Sequence, residues 1–347
     1  MKGQLFSFTK AGTALNERLV TFLQRQHWQV MGKGYAKHIA SSSVIQPLQQ
    51  ALTEEVAQAF AQCQCLIFIG AAGIAVRLIA PLLRSKVTDP AVLVIDEKGH
   101  FVIPLVSGHI GGANGFAEKI AAFLGGEAVL TTATDVNQLF AVDAFAAQKG
   151  LCITSMLDAK RFAATILETK QAGLYSDFPI TGALPPSLKK ASTGVVGVAV
   201  SLRDDCRPFQ QTVTLQPPIF HLGLGCRAGI EEEAVAAAVT EALSMAAVQL
   251  DAVCAVHSIE IKAKEEGILS YCARHHLPYT TFDAATLNAL PGYFTASSFV
   301  RRTVGVDNVC ERAAAAGSHG GTILLRKQAL HGVTVAIAYE NYTLSFP

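Results

Sequence analysis

The sequence predicts an α/β protein with two α/β lobes of mostly parallel sheet and a small middle domain. Three observations carry that expectation. Short apolar runs of strand length alternate with longer amphipathic stretches, the pattern of strands joined by helical crossovers. Leu66–Ile69 is apolar at every position, as strands buried on both faces are. Glycine-rich turns stand between a strand and a helix near residues 70–73, 107–114 and 223–229. The 347 residues exceed one average domain, and we divide them into an N-terminal α/β domain (1–135), a middle domain (136–217) and a C-terminal α/β domain (218–347).

The elements follow in order. Leu5–Phe8 reads as a strand, followed by helices over 11–25 and 44–61. Leu66–Ile69 is a strand, and a helix runs from Ile74 to Leu83. Ala91–Ile95 and Phe101–Leu105 flank the Asp96-Glu97-Lys98-Gly99 turn and read as a hairpin. The loop 107–114 opens a helix over Ala113–Leu124, and Ala128–Leu130 is a strand. Thr134 or Asp135 then caps a helix reaching Lys149. In the middle, a helix over 158–170 precedes strands at Val195–Leu202 and Thr212–Leu215, with Pro185-Pro186 and Pro217-Pro218 as punctuation. Ile219–Leu224 is the next strand, Gly225–Gly229 a turn, and Glu231–Met245 a helix with acids in its first turn, where the helix dipole favours them. A strand over Ala252–Ile261, a helix over 264–275, a strand at Pro278–Phe282, a helix over Val306–Ala316 and closing strands at Thr322–Leu325 and Val333–Ala338 complete the pattern.

Half the residues are apolar, 16% are charged and the formal net charge is +1. That balance argues against a dedicated nucleic-acid binder, yet it leaves room for a polyanionic ligand held by a few local cations. The eight cysteines are scattered and none forms a C-x-x-C pair; they read as free thiols of a reducing cytosol rather than zinc ligands. The first residues lack an apolar signal core, so the expected location is cytoplasmic. Residues 65–83 imitate a membrane span, but Arg77 lies near the centre, Gly70 and Gly73 interrupt the run and Pro81 ends it. A strand, a glycine turn and a buried helix explain all three features.

Four segments carry candidate chemistry. In Gly70-Ala71-Ala72-Gly73-Ile74-Ala75-Val76-Arg77, glycines let backbone N–H groups approach an anion at a helix start; tight packing of the turn is the alternative. In Ser107-Gly108-His109-Ile110-Gly111-Gly112-Ala113-Asn114, a hydroxyl, an imidazole and an amide join three glycines at the C-terminal side of a strand, where open α/β sheets bind ligands. His109 suits proton transfer near neutrality. In His221-Leu222-Gly223-Leu224-Gly225-Cys226-Arg227-Ala228-Gly229, the glycines resemble a loose dinucleotide turn, and Arg227 offers a carboxylate donor. Cys226 reads more readily as a packing residue than as a nucleophile. In a strand, Ser258, Glu260 and Lys262 would share one face, setting an acid beside a base, unless the pair is a surface salt bridge. Arg301, Arg302 and the stretch 307–312 are either a solvated face or ligand donors.

These residues also carry a family resemblance. GAAGIAVR at 70–77, SKVTDPAVLVIDEKGHFVIPLVSGHIGGAN at 85–114 and TTATD at 131–135 resemble the N-terminal part of the CbiG family, the cobalt-precorrin-5A hydrolases. HLGLGCRAG at 221–229, the Glu260/Lys262 segment, FVRRTVGVDNVCERAA at 299–314 and the TVAIA ending resemble its C-terminal part. Glu260 stands where many members have Asp, and Phe116 where Leu is usual; residues 1–50 and 136–215 match loosely. The resemblance implies a step of anaerobic cobalamin biosynthesis, in which water opens the δ-lactone of a cobalt-bearing, ring-contracted tetrapyrrole and acetaldehyde leaves. On this expectation His109 is the base, Glu260 accepts a second proton, and Ser107 belongs to the catalytic group. Gly70, Gly73, Arg77, Lys86, Gly108, Gly111, Gly112, Asn114, Gly223, Gly225, Arg227 and Lys262 bind substrate. The cobalt belongs to the substrate, so the expectation includes no protein metal site and no cofactor. Expected partners are the tetrapyrrole and water, not nucleic acid or membrane, with homo-oligomers or transient contacts with other cobalamin-pathway enzymes left open. A non-catalytic tetrapyrrole carrier and a nucleotide-dependent enzyme using the 223–229 turn remain the rival readings. The hydrolase expectation pictures a cleft between two sheet-based lobes gripping the acid-rich ring.

Overall fold

The computed structural model describes residues 1–346 except Ser42, Lys86, Val87 and Ile110. It divides into two compact units, Met1–Lys149 and Gly150–Pro347. The architecture is α/β with mostly parallel sheets.

In the first unit, strands β1 (Lys2–Ser7), β2 (Gln29–Gly34), β3 (Gln46–Pro47), β4 (Cys65–Ile69), β5 (Ala91–Ile95), β6 (Phe101–Val106) and β7 (Glu127–Ala128) form one sheet in the order β3-β2-β1-β4-β5-β6-β7. Every neighbouring pair is parallel except the β5–β6 hairpin. Helices α1 (Lys10–Arg25), α2 (Leu52–Gln62), α3 (Ala72–Ile79), α4 (Ala113–Leu124), α5 (Ala133–Val136) and α6 (Val142–Lys149) complete it. Alternate residues of the central strands enter different cores. Leu5, Ile67 and Leu93 pack with α1 and α4, whereas Phe6, Leu66, Phe68 and Val94 pack with α2 and α3. That is why those strands are apolar throughout.

Two local expectations change, and one strand stands where none was expected. The helix expected over 44–61 begins only at Leu52, and Pro47 lies in edge strand β3; proline lacks an N–H and disfavours helix at the residue before it. Strand β2, whose two glycines blur its β pattern, is set by pairing with β1. The helix expected from Thr134 to Lys149 is broken into α5 and α6, with Gln138 at φ 54° between them. The run over 65–83 resolves into β4, α3 and a 3-10 turn, and no helix among the described residues is long and apolar enough to cross a membrane.

In the second unit, β8 (Cys152–Ile153), β9 (Ala172–Ser176), β10 (Ile180–Thr181), β11 (Leu188–Lys190), β12 (Val196–Val200) and β13 (Gln211–Gln216) accompany α7 (Met156–Thr169). A five-stranded sheet runs β11-β9-β12-β13-β8 and is parallel but for β8. Next come β14 (Phe220–Cys226), β15 (Val253–Ile259), β16 (Tyr279–Phe282), β17 (Thr322–Leu330), β18 (Val333–Tyr339) and β19 (Leu344–Ser345). They are joined by α8 (Glu232–Ala246), α9 (Glu266–Arg274), α10 (Ala284–Ala289), α11 (Ser298–Val304) and α12 (Cys310–Gly317). The second sheet runs β16-β15-β14-β18-β17, with β14, β15 and β16 parallel and β18 and β17 antiparallel. The tail strand β19 pairs with β10. The buried Gln216 amide donates to the Leu202 and Ala247 carbonyls at 3.0 Å and accepts from the Gln249 N–H, tying the two halves of this unit together.

Two readings of the C-terminal part are corrected. Strand β14 extends to Cys226, so Gly225, expected to open a turn, is a strand residue like Gly223. A Cβ on Gly223 would lie 1.8 Å from the Cys310 carbonyl oxygen; this glycine lets α12 press against the sheet. Strand β15 ends at Ile259 and Glu260–Lys262 forms a 3-10 turn, so Ser258, Glu260 and Lys262 do not share a strand face.

Candidate active site

The loop leaving β6 is built by its own short-range bonds. Ser107 adopts φ 57°, an uncommon conformation for a residue with a side chain, and its hydroxyl donates to the Asp89 carbonyl at 2.9 Å. Gly112, at φ 79°, caps α4 in the left-handed region. A side chain at Gly108 would strike the Asn114 amide, 2.6 Å from where its Cβ would stand. Gly112, Ala113 and Asn114 donate their N–H groups to the carbonyls of His109, Ser107 and Gly108. The N–H groups of Gly108, His109 and Gly111 have no acceptor among the described residues and remain the loop's available donors.

The imidazole of His109 is held between two carboxylates. Nε2 lies 3.0 Å from Asp135 Oδ2 and Nδ1 lies 3.0 Å from Asp143 Oδ1. Asn114, itself buried, donates Nδ2 to the same Asp135 oxygen at 2.6 Å and to Thr132 Oγ1 at 2.8 Å. With a carboxylate at each nitrogen, both nitrogens act as donors, which is the pattern of imidazolium. The Asp143 hydrogen bond, working against burial and helped by Asp135, raises the His109 pKa to about 9. Burial pushes the Asp143 carboxyl up, but the His109 bond and charge and the Ala144 N–H outweigh it and hold Asp143 below its ordinary value. The resting group is therefore an ion triad, Asp143⁻–His109⁺–Asp135⁻. It borders a cavity of about 310 Å³ lined by Pro104, Ser107, His109, Asn114, Thr132 and Asp143 among others.

The other expected residues fall in several places. Gly70 donates its N–H to the Ile95 carbonyl at 2.8 Å, so that group is already taken. Gly73 and Arg77 are exposed on α3, where the Arg77 guanidinium donates to the Gly73 carbonyl at 3.3 Å. Lys86 lies outside the described residues. In the second unit Arg227 is exposed just beyond β14, and Gly225, Arg227 and Lys262 border a separate cavity. Lys262 is buried and pairs with Glu265 at 2.8 Å, while Glu260 is exposed on the 3-10 turn. Cys226 is half-buried, and burial pushes its thiol up, away from the thiolate a nucleophile needs.

Sequence reasoning missed the two carboxylates as chemistry. Asp135 reads as a helix cap, but the cap of α5 is Thr132 and the Asp135 side chain turns to His109. Asp143 stands in the first turn of α6 without a motif around it, and nothing local to the sequence marks it.

Comparison with known proteins follows the same segments. Three family models match: cobalamin synthesis G N-terminal over residues 54–135, cobalamin biosynthesis central region over 140–217, and cobalamin synthesis G C-terminus over 220–338. The chain is 34% identical over 351 residues to a Salmonella typhimurium protein named cobalt-precorrin-5A hydrolase, covering 97% of each. It is 27% identical over 354 residues to a protein of that name from Priestia megaterium, covering 97% of this chain and 94% of the relative. A solved structure of a cobalamin biosynthesis protein G homologue from Sulfolobus solfataricus is similar at a TM-score of 0.43 and 19% identity, with 97% of each chain covered.

Proposed function

The chain belongs to the CbiG family and is a hydrolase of cobalamin biosynthesis, and on that premise we propose that it opens the δ-lactone of cobalt-precorrin-5A and releases acetaldehyde to give cobalt-precorrin-5B. The observation that carries this reading is the His109 imidazolium held between Asp135 and Asp143 beside a small cavity.

Lactone hydrolysis asks for a base to take a proton from water, an acid for the departing alkoxide and donors for the tetrahedral oxyanion. Asp143 lines the cavity and takes the water's proton. Once protonated, Asp143 lets go of the His109 Nδ1 proton, and His109 gives that proton to the alkoxide as the acyl C–O bond breaks. The two transfers assist each other, because the positive charge on His109 is what depresses Asp143. As the imidazolium loses its proton, the carboxylate becomes more basic. His109, which the sequence suggests as the base, thus takes the role of acid. The N–H groups of Gly108, His109 and Gly111, which have no acceptor among the described residues, suit the oxyanion. Asn114 positions Asp135 and Asp135 positions the ring.

Ring opening leaves a hydroxyl on the carbon that must depart. Loss of its proton to a carboxylate turns it into a carbonyl and breaks the carbon–carbon bond to the macrocycle. The bonding electrons pass into the conjugated ring, which then takes up a proton, and acetaldehyde leaves. The cobalt enters as part of the substrate.

The test is anaerobic incubation with the lactone substrate, followed by mass spectrometry for loss of the two-carbon unit. His109→Asn is expected to slow acetaldehyde release by about 10²-fold or more, the usual weight of one positioned acid or base. Unchanged release would remove His109 from the mechanism.

A further inference from the structure

Ser107 combines a strained backbone with an occupied hydroxyl. Its φ of 57° falls in the left-handed region, which glycine adopts readily and a residue with a side chain does not. Serine therefore costs this turn stability that glycine would not, and the conformation alone does not call for it. What serine adds is the hydroxyl, which donates to the Asp89 carbonyl at 2.9 Å.

The acceptor is itself held. The Asp89 carboxylate accepts the N–H groups of Arg84 at 2.9 Å and Ser85 at 3.1 Å, and the Asp89 N–H donates to the Ser85 carbonyl at 2.8 Å. Pro90 follows, which restricts the backbone of Asp89, and β5 begins at Ala91. By contrast, the bonds that the Gly112, Ala113 and Asn114 N–H groups donate all end on residues 107–109. Those bonds close the loop on itself. The Ser107 hydroxyl ties it to the entry of β5.

The same side chain bears on the donors of the site. A Cβ at Gly111 would stand 2.5 Å from the Ser107 Cβ, so the Gly111 backbone packs against Ser107, and Gly108 and His109 follow Ser107 directly in the chain. These are the three residues whose N–H groups have no acceptor among the described residues. Both nitrogens of His109 lie on carboxylates, so neither is placed to take the Ser107 proton as a serine nucleophile requires.

We infer that Ser107 is a positioning residue and not the nucleophile: through its bond to Asp89 it aims the N–H groups of Gly108, His109 and Gly111 at the oxyanion. The oxyanion rests on the hydrolase reading. The assignment rests on the geometry, because such donors stabilise a transition state only when they are held in place beforehand. Asp89 acts one step further back, by fixing the carbonyl.

The test sets Ser107→Gly beside Ser107→Ala in the full chain. Glycine relieves the strain and alanine keeps it, yet both lose the hydroxyl. S107G is therefore expected to melt no lower than S107A. Both are expected to lose about tenfold or more in kcat with KM unchanged, since the oxyanion is absent from the ground state. Both should keep the alkaline limb near pH 9, because the carboxylates on His109 are untouched. A serine that matters only for stability predicts that S107G keeps the parent's kcat, and that result would overturn the inference. An acyl group found on Ser107 by mass spectrometry of acid-quenched reactions would overturn it as well, and so would a displaced alkaline limb, which places the loss in the ion triad. Hydrogen exchange supplies a readout apart from activity. Protection of the Gly112, Ala113 and Asn114 amides should fall in both variants relative to the parent at the same pH, and unchanged protection would overturn the tie to Asp89. A parent that releases no acetaldehyde loses the hydrolase reading, while exchange still decides whether the hydroxyl holds the loop.

Discussion

Asp143 Oδ1 lies 3.0 Å from His109 Nδ1, although the two residues belong to different helix-loop elements on either side of β7. The contact fixes the charge of the imidazole. Without a carboxylate at that nitrogen, half-burial alone would favour the neutral ring.

Because the His109 pKa is raised to about 9, its charged form is complete at neutral pH and is lost as pH rises through that value. Acetaldehyde release is expected to hold level through neutrality and to fall near pH 9. In Asp143→Asn the alkaline limb should move toward the ordinary histidine value, stopping short of it because Asp135 remains, and kcat should drop by about 10²-fold. A pH series of kcat checks both. An unmoved limb would mean that Asp143 does not set the charge of His109.

His221 and His257 form a buried pair in the second unit. His221 Nδ1 lies 2.9 Å from His257 Nε2, His221 Nε2 lies 2.8 Å from Glu340 Oε1, and His257 Nδ1 has no partner among the described residues. Burial first, then the charges of His221 and His319, pushes His257 down to about 4; burial also lowers His221 against the pull of Glu340. Between about pH 6.5 and 4 the unfolded chain therefore binds protons that the folded one refuses, and stability falls as pH falls. The protection of the β14 amides, taken relative to their intrinsic exchange rate at each pH, should fall over that window, and His257→Gln should flatten the dependence. An identical dependence in the variant would count against this origin.

Gly223→Ala is expected to destabilise by about 3 kcal/mol or more, the upper end of overpacking costs, because the new methyl meets backbone and not a movable side chain. Urea unfolding measures it. A variant as stable as the parent would show that α12 can retreat from β14.

In the first unit Glu55 is 2% exposed, pairs with Lys33 and accepts the Gln49 N–H at 2.9 Å. Lys33→Met leaves that carboxylate buried without its cation and is expected to cost about 3 kcal/mol. The double variant K33M/E55L should recover most of the loss, since no charge is then stranded. Denaturation of the two variants side by side distinguishes a stranded charge from lost packing.

Much of this was legible along the chain. The apolar run Leu66–Ile69, the Ser107–Asn114 loop and the hairpin over 91–105 announce themselves within a few residues, because backbone sterics, turn chemistry and burial periodicity act locally. Strand β2 was not legible: two glycines in Gln29–Gly34 erase the β signature, and only its partner β1 makes it a strand. The turn expected to begin at Gly225 begins only after Cys226, since the same glycine spacing serves a ligand-binding turn or a helix packed against the sheet.

The sequence by itself determined that the chain is α/β, where its glycine-rich loops stand and which family it resembles. Each of these is written in neighbouring residues. Only the tertiary structure decided that Asp135 and Asp143 close on His109, that Lys262 is neutralised by Glu265, and that His221 and His257 share a buried bond. Such pairings depend on how strands order in a sheet and where helices settle on it. The free energy that fixes them is summed over a whole core, so no short stretch of sequence contains it.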